Sequence, residues 1–141
     1  MTVLTHMAVG GAVGSLVEAR GAAFGLGMLL HIPLDVIPHY EFEKMWLEVA
    51  VVAAFFGVMI ATGNAGTGIF WGALGAVLPD LENLLWRLGI LSDEDKVFPG
   101  HSRRFARWLP HGRALGVEHA WWQGAIVASS VALMVWRLGA P

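Results

Sequence analysis

Five long apolar segments cover most of the chain, and their length constrains the fold more than any other feature of the sequence. They span residues 3–19, 21–37, 45–62, 66–88 and 119–138. They are too long for strands, and they lack the alternating apolar and polar residues of a half-buried strand. The sequence therefore predicts an all-α integral membrane helical bundle of about five helices, four or five of them spanning, because roughly 20 apolar residues suffice to cross a bilayer. No boundary divides the chain, so we predict a single domain over residues 1–141.

Composition agrees with this prediction. Apolar residues make up 56% of the chain and charged residues 14%, and the mean hydropathy is +0.60. A soluble domain usually carries about 25% charged residues.

Two residue types give further constraints. The absence of cysteine excludes disulfides and thiolate metal ligands. Glycines four residues apart allow helix backbones to approach closely. Three such pairs occur, at Gly10/Gly14, Gly21/Gly25 and Gly68/Gly72.

Helices that alternate in direction bring the ionisable residues to one side of the predicted bundle. The start of the chain, residues 38–44 and residues 89–117 share that side, and all six histidines fall on or near it. The long loop there carries Lys96, Arg103, Arg104, Arg107 and Arg113. An excess of lysine and arginine marks the cytoplasmic side of a membrane protein. We therefore predict a multi-pass protein of the inner cell membrane with a cytoplasmic N-terminus.

A candidate metal-ligand motif closes the second apolar segment. His31 and Asp35 are four residues apart, so on a helix they share one face. Pro33 lies between them and is expected to break or kink that helix, and His39 follows the turn at Pro38. Two imidazoles and a carboxylate suit zinc or a similar divalent ion. The alternative is a pair of interfacial histidines with a capping aspartate.

Acidic residues occur in two further apolar segments. Asp80 and Glu82 follow Pro79, and they are either part of a site or acids in the first turn of a new helix, where the helix dipole favours them. Glu48, one turn into the third segment, is a candidate proton acceptor or a hydrogen-bonding partner of a ligand. Glu82 is the other candidate for accepting a proton.

The loop at residues 98–113 mixes arginines with aromatic side chains. Arg103 and Arg104 precede Phe105 and Trp108, which predicts a short amphipathic segment in the headgroup region. Arg103 and Arg104 are candidates for binding a phosphate group. The alternative is a positively charged loop with aromatic anchors.

The remaining histidines differ in their surroundings. His101 follows Pro99 and Gly100, which places it on a turn. His6 is a ligand candidate because of the side that it shares with the other histidines. We assign His111 and His119 to the loop and the interface rather than to a metal site.

Four stretches in order resemble a family of small bacterial integral-membrane proteins, the predicted membrane-bound metal-dependent hydrolases. They are LTHMAVGGAVG, LLHIPLDVIPHYE, WGALGAVLPDLENLL and FPGHS. This family is placed near the zinc-dependent phospholipase C and single-strand nuclease superfamily, an all-helical fold with a His/Asp polymetal site. The similarity extends from Thr5 to Ser102. Asn83 stands where the family motif ends in histidine, the loop retains one histidine where the hydrolases have two, and the H-x-x-x-D element comes early in the chain.

The resemblance implies a ligand set and a cofactor. The residues at motif positions are His6, His31, Asp35, His39, Asp80 and His101. They would hold a divalent metal, zinc, as one or two ions.

Two functions remain open from the sequence. The first is a membrane-embedded metal-dependent hydrolase of phosphoester substrates, including lipid phosphoesters, at the cytoplasmic face. The second is a non-catalytic small membrane subunit that packs within a larger membrane protein complex. The expected partners are membrane lipid or other membrane subunits, and no nucleic acid is expected.

Overall fold

The computed structural model describes residues 1–42 and 44–139, and six α-helices dominate this part of the chain. They are α1 (Val3–Gly14), α2 (Arg20–Val36), α3 (Met45–Ala61), α4 (Gly68–Val77), α5 (Asp80–Arg87) and α6 (Trp121–Gly139). Single 3-10 turns lie at Asn64–Gly66 and Val117–His119. Two short strands, β1 (His39–Tyr40) and β2 (Ala114–Leu115), pair in parallel, with His39 opposite Ala114.

The centre of the molecule is formed by α1, α2 and α4, which contact one another through small residues. A methyl group on Gly27 of α2 would collide with the carbonyl oxygen of Gly72 in α4. A methyl group on Gly14 of α1 would collide with the carbonyl oxygen of Gly68. At these positions the backbones of neighbouring helices are therefore in direct contact. Of the three predicted glycine pairs, Gly10/Gly14 and Gly68/Gly72 are confirmed.

The predicted close approach of helix backbones is wrong for the pair Gly21 and Gly25. Among the described residues, nothing outside the local chain lies within 4 Å of a Cβ built at either position. The reason is their position around the helix, because the buried residues of α2 are Ala23, Gly27, His31 and Asp35. These four recur every fourth residue and so form one line along the helix.

Local sequence signals explain where the helices begin and end. Thr2 and Thr67 precede α1 and α4, and each side chain accepts a hydrogen bond from a backbone N–H in the first turn, as N-caps do. Pro79 separates α4 from α5, so the predicted apolar segment at residues 66–88 forms two helices. By contrast, α2 continues through Pro33 to Val36, which keeps His31 and Asp35 on the same face.

The prediction of an integral membrane bundle is wrong, since no helix in residues 1–42 and 44–139 is both long enough and apolar enough to cross a bilayer. Helices α1 and α4 have 12 and 10 residues. Helix α3 has 17 residues, and at about 1.5 Å per residue it is shorter than the hydrocarbon core of roughly 30 Å. The predictions of spanning helices, of a multi-pass inner-membrane location and of a cytoplasmic N-terminus are corrected by this finding.

The predicted interfacial amphipathic segment is also absent from the described chain. Residues 98–109 form mostly turns and bends, and residues 110–113 have no regular structure, so this stretch contains no helix. The chain then pairs through β2 with β1, and the backbone N–H of His39 donates to the carbonyl oxygen of Arg113 over 3.1 Å. The pairing fixes the end of the long loop beside the end of α2.

We expect Gly27→Ala and Gly25→Ala to have opposite effects on stability. The methyl group at position 27 meets the backbone of α4, so we expect a loss of about 1–3 kcal/mol in the free energy of unfolding. At position 25 the methyl group meets open space, so we expect a gain of roughly 0.5–1 kcal/mol from the helix preference of alanine. Denaturant unfolding followed by circular dichroism measures both. Equal effects of the two substitutions would contradict the close approach of α2 and α4.

Candidate metal centre

The buried carboxylate of Asp35 lies at the centre of a cluster of histidines. It belongs to the last turn of α2 and is 1% exposed. Its Oδ1 accepts a hydrogen bond from the N-terminal ammonium group of Met1 over 2.8 Å, which makes a buried ion pair, and lies 2.9 Å from His6 Nε2. Its Oδ2 lies 3.0 Å from both His31 Nε2 and His101 Nε2. One carboxylate thus gathers side chains from α1, α2 and the long loop.

Three of these atoms have the spacing of metal ligands. Asp35 Oδ2, His31 Nε2 and His101 Nε2 form a triangle with sides of 3.0, 3.0 and 3.3 Å. In a tetrahedral site with bonds of about 2.0–2.1 Å, neighbouring ligand atoms are roughly 3.3–3.4 Å apart. Asp80 Oδ1 is the fourth donor, 3.8 Å from His31 Nε2 and 3.9 Å from His101 Nε2. The donors His31, Asp35 and His101 therefore lie close enough together to hold a metal ion, and so do His6, His31 and Asp80.

Backbone carbonyls orient two of the imidazoles. The Nδ1 atom of His31 lies 2.7 Å from the carbonyl oxygen of Ala76, and Nδ1 of His39 lies 2.6 Å from that of Ile37. A carbonyl oxygen only accepts, so each Nδ1 carries its proton and donates it. The Nε2 atom of each ring then faces the cluster. Such hydrogen bonds commonly fix the tautomer and direction of metal-binding histidines.

His6 and Asp80 place further buried donor atoms at the cluster, and some of these atoms have no hydrogen-bond partner. The rings of His6 and His31 stack with their centroids 3.8 Å apart, and both side chains are fully buried. Within residues 1–42 and 44–139, Asp80 Oδ2 and His6 Nδ1 are buried without a hydrogen-bond partner. Such atoms are rare in folded proteins, and a bound ion or water is one usual explanation.

Burial and the contacts among the clustered side chains shift the pKa values of Asp35, His6 and His31. Burial would raise the pKa of the Asp35 carboxyl, but hydrogen bonds from three imidazoles outweigh burial and hold that pKa well below its usual range. Burial lowers the pKa of His6 from 6.5 to about 4. Burial would also lower the pKa of His31, but its hydrogen bond to Asp35 and the charge of Asp80 outweigh this, and that pKa is raised. Asp35 is therefore an anion at neutral pH.

The two predicted proton acceptors lie in different surroundings. Glu82 accepts hydrogen bonds from the backbone N–H groups of Val97 and Phe98, and its Oε2 lies 4.0 Å from His101 Nδ1. This carboxylate thus holds the loop that carries His101. Glu48 accepts a hydrogen bond from the backbone N–H of Val3, and burial raises the pKa of its carboxyl.

The structure does not bring Arg103 and Arg104 to the cluster. The side chain of Arg103 is 77% exposed, and its Nε lies 2.6 Å from Asp93 Oδ2. Arg104 is also exposed, and neither side chain lines the cavity described below. Their role in phosphate binding stays a prediction.

Three polar residues that the sequence did not assign to the site lie in it or beside it. Glu41 Oε1 lies 3.0 Å from His39 Nε2 and 3.3 Å from His111 Nε2, and hydrogen bonds with these two rings hold the pKa of Glu41 below its usual range. Asn83 Nδ2 lies 3.2 Å from His101 Nε2. A repeated Pro-His dipeptide, at residues 38–39 and 110–111, was the available signal for His111. His119 lies apart from the cluster, beside Glu118.

A cavity of about 570 Å³ adjoins the cluster. Its wall includes Asp35, Asp80, His101 and Glu48. The remaining wall is mostly apolar and comes from α3, α4 and α5, with Val49, Val52, Phe56, Leu74, Val77 and Leu84 among its residues. A pocket of this size with a few convergent polar groups is typical of ligand sites.

We expect His6→Gln to reduce the loss of stability in mild acid. As the pH falls from 6.5 to about 4, the unfolded chain takes up a proton at His6 while the folded chain does not. That difference lowers the free energy of unfolding by up to about 3 kcal/mol in the wild type. Above pH 6.5 the ring is neutral in both states and has no such effect. Denaturant unfolding of chelator-treated protein at several pH values measures it, and equal pH dependence in both proteins would contradict a neutral buried ring.

Comparison with known proteins adds no relative. No family model, curated protein or solved structure matches the chain. The resemblance to the membrane-bound metal-dependent hydrolases therefore stays a prediction, and the function is inferred from the geometry of the cluster and its cavity.

Proposed function

We propose that this protein binds a divalent ion, zinc, through His31, Asp35, Asp80 and His101, and uses it to hydrolyse phosphoester bonds. The observation that carries the proposal is the triangle of Asp35 Oδ2, His31 Nε2 and His101 Nε2, with sides of 3.0–3.3 Å, in which Asp35 and His101 line the cavity. Imidazole nitrogen and carboxylate oxygen are both good zinc ligands. The ring of His6 stacks on that of His31, and His6 forms a further group of possible donors with His31 and Asp80.

The residues around the ion have separate roles in this proposal. A bound divalent ion polarises a phosphoryl oxygen and lowers the pKa of a coordinated water toward about 7. Glu48 lines the cavity, and its raised pKa makes it a better proton acceptor than an exposed glutamate. Glu82 holds the loop at Val97 and Phe98, so it positions His101 rather than moving a proton.

The cavity indicates a substrate with an apolar part. Its wall places side chains such as Val52, Phe56 and Leu84 in the same space as Asp80 and His101. A phosphate group held at the ion would leave an attached hydrocarbon chain against these side chains. Burial of that chain contributes binding free energy in proportion to the apolar area removed from water. We therefore propose a lipid-like phosphoester as the substrate class.

A non-catalytic subunit of a larger assembly is the second candidate function. Several large apolar side chains on α3 and α6 point outward, including Trp46, Ile60 and Trp136, which are 62%, 61% and 63% exposed. Exposed apolar surface of this kind often marks a protein–protein contact. The cluster would then hold a structural ion. Stoichiometric metal without hydrolysis of any phosphoester would favour this candidate.

We expect metal binding to depend on the buried cluster and to control activity. Chelator-treated wild type, His101→Ala and Asp35→Ala are titrated with Zn²⁺ in competition with a chromophoric chelator. His119→Ala is the matched control, since His119 lies outside the cluster. We expect at least about 100-fold weaker binding in the two cluster variants, more than the loss of a hydrogen-bonding partner usually causes. Hydrolysis of a p-nitrophenyl phosphodiester should stop with chelator and return with Zn²⁺. Equal and negligible zinc binding by all four proteins would refute the proposal.

We expect the cavity to favour substrates with a hydrocarbon chain. The assay compares methyl and octyl p-nitrophenyl phosphate. Burial of only two methylene groups is worth about 1.6 kcal/mol, so kcat/KM should be more than about tenfold higher for the octyl ester. Val52→Trp fills the cavity and should remove this preference while zinc binding stays unchanged. Ile60→Trp, on the exposed part of α3, is the control. The same kcat/KM for both esters would refute the assignment of the cavity to an apolar chain.

A further inference from the structure

We propose that Arg87 and Lys96 form an anion-binding subsite in the wall of the cavity, and that it binds a negatively charged headgroup of the substrate. This inference deepens the proposed function and rests on it, because it assigns the same cavity to the substrate. Both side chains line the cavity. The proposed hydrolysis at the ion uses neither of them.

The cavity is apolar at one end. Phe56 of α3, which lines the cavity, packs against Phe70 of α4 with ring centroids 5.1 Å apart. Phe70 precedes Val77, the last residue of α4, by about 10 Å along the helix. Glu48 precedes Phe56 by about 12 Å along α3. The apolar end therefore lies well away from Glu48 and from Asp80, which follows α4.

The opposite end of the cavity is its charged opening. Arg87 follows Asp80 by about 10 Å along α5 and lies on nearly the same face of that helix. Arg87 is exposed and also lines the cavity, so it lies at the opening. Burial raises the pKa of the Glu48 carboxyl, and the positive charge of Arg87 opposes that shift, so the two side chains lie near each other. Arg87 and Phe56 are thus at opposite ends of the cavity.

Lys96 adds a second positive charge beside Arg87. It is 7% exposed, although lysine is almost never fully buried unless it is paired. Its Nζ lies 3.0 Å from Asp93 Oδ1 and 4.2 Å from the centroid of the Trp86 ring. The other oxygen of Asp93 lies 2.6 Å from Arg103 Nε. One carboxylate is therefore shared by two cations, and the group keeps a positive charge that a bound anion can neutralise.

The backbone of the long loop holds Lys96 at the cavity. The carboxylate of Glu82 accepts hydrogen bonds from the N–H groups of Val97 and Phe98, the two residues that follow Lys96. Glu82 and Arg87 both belong to α5, so one helix positions both cations of the subsite. Side chains that are already held in place lose less conformational entropy when a ligand binds.

This arrangement selects an amphiphile with an anionic headgroup. Its hydrocarbon chain lies at the apolar end, its phosphoester lies at the ion near Asp80 and His101, and its headgroup reaches Arg87 and Lys96. Arginine and lysine form charge-assisted hydrogen bonds with phosphate and carboxylate oxygens. The substrate class is therefore a lipid-like phosphoester that carries a further phosphate or carboxylate on its headgroup. Two positive charges disfavour a cationic headgroup.

The test compares two phosphodiesters that differ in the charge of the headgroup. Octyl 2-sulfoethyl phosphate carries a sulfonate, and octyl 2-hydroxyethyl phosphate carries a hydroxyl. A sulfonate is a weak ligand of zinc, so the comparison reports on the protein side chains rather than on the ion. Calorimetry measures the binding of each ester to zinc-loaded and to chelator-treated protein. We expect the sulfonate ester to bind at least about tenfold more tightly in both, a difference of about 1.4 kcal/mol.

Substitutions assign this preference to the two side chains. We expect Arg87→Gln and Lys96→Gln each to reduce it to less than about threefold, and Arg87→Glu to reverse it. Arg104→Gln is the matched control, since Arg104 is exposed and does not line the cavity. Circular dichroism verifies that each variant is folded, and the affinity for zinc should change less than about threefold.

The outcomes separate this inference from the proposed function. Equal binding of the two esters by the wild type, or an unchanged preference in both Arg87→Gln and Lys96→Gln, would refute the anion subsite and leave the proposed function standing. An equal loss of preference in Arg104→Gln would also refute the subsite, because the preference would then come from the overall charge of the protein. Failure to bind zinc would refute the proposed function, and the two esters would still test the subsite in chelator-treated protein. No binding of either ester would refute both.

Discussion

The carboxylate of Asp35 is the interaction on which the rest of the site depends. It is nearly inaccessible to solvent, and an isolated buried charge would be strongly unfavourable. Imidazoles from α1, α2 and the long loop surround it, each within 3.0 Å of one of its oxygens. The negative charge of one side chain therefore fixes the relative positions of three segments that are distant in the sequence. The same charge attracts a cation, so the requirements of stability and of metal binding coincide.

Small residues bring the helices to the distances at which this cluster can form. Gly10 and Gly14 of α1 approach Gly68 and Gly72 of α4, and Gly27 of α2 approaches Gly72. Each helix carries its small residues at every fourth position, and the same spacing leads to a site residue, which lies on the same helix in α1 and α2 and at the first residue of α5 in the third case. The lines are His6–Gly10–Gly14, Ala23–Gly27–His31–Asp35 and Gly68–Gly72–Ala76–Asp80. The spacing of four residues thus explains both the close contact between the helices and the convergence of the polar side chains.

The positions of the helices could be predicted from the hydrophobic pattern of the sequence, but the prediction that they span a membrane was wrong. The helical segments were predicted close to their observed positions, and the i, i+4 relation placed His31 beside Asp35. The membrane prediction failed because helices α1, α4 and α5 are much shorter than the apolar segments in which they lie. Helix α1 ends at Gly14, and Pro79 divides the segment at residues 66–88 into α4 and α5, as the alternative of a new helix at Asp80 had it. The repeated Pro-His dipeptide was the one signal for His111, and the sequence does not show that His111 lies beside Glu41, since the two chain segments meet through the two-residue pairing of β1 with β2. Such a short pairing leaves almost no signal in a sequence.

The line of small and polar residues on α2 has a consequence for how the sequence can change. Successive residues of an α-helix are separated by about 100° of rotation and about 1.5 Å of rise. Gly27 sets the contact with α4, and His31 and Asp35 follow it at one and two intervals of four residues on the same helix. Insertion or deletion of a single residue between Gly27 and His31 would turn both polar side chains away from the cluster while leaving the helix intact. The loop at residues 89–113 has no such phase to maintain, so length variation there, away from the turns at His101 and His111, is far easier to accommodate.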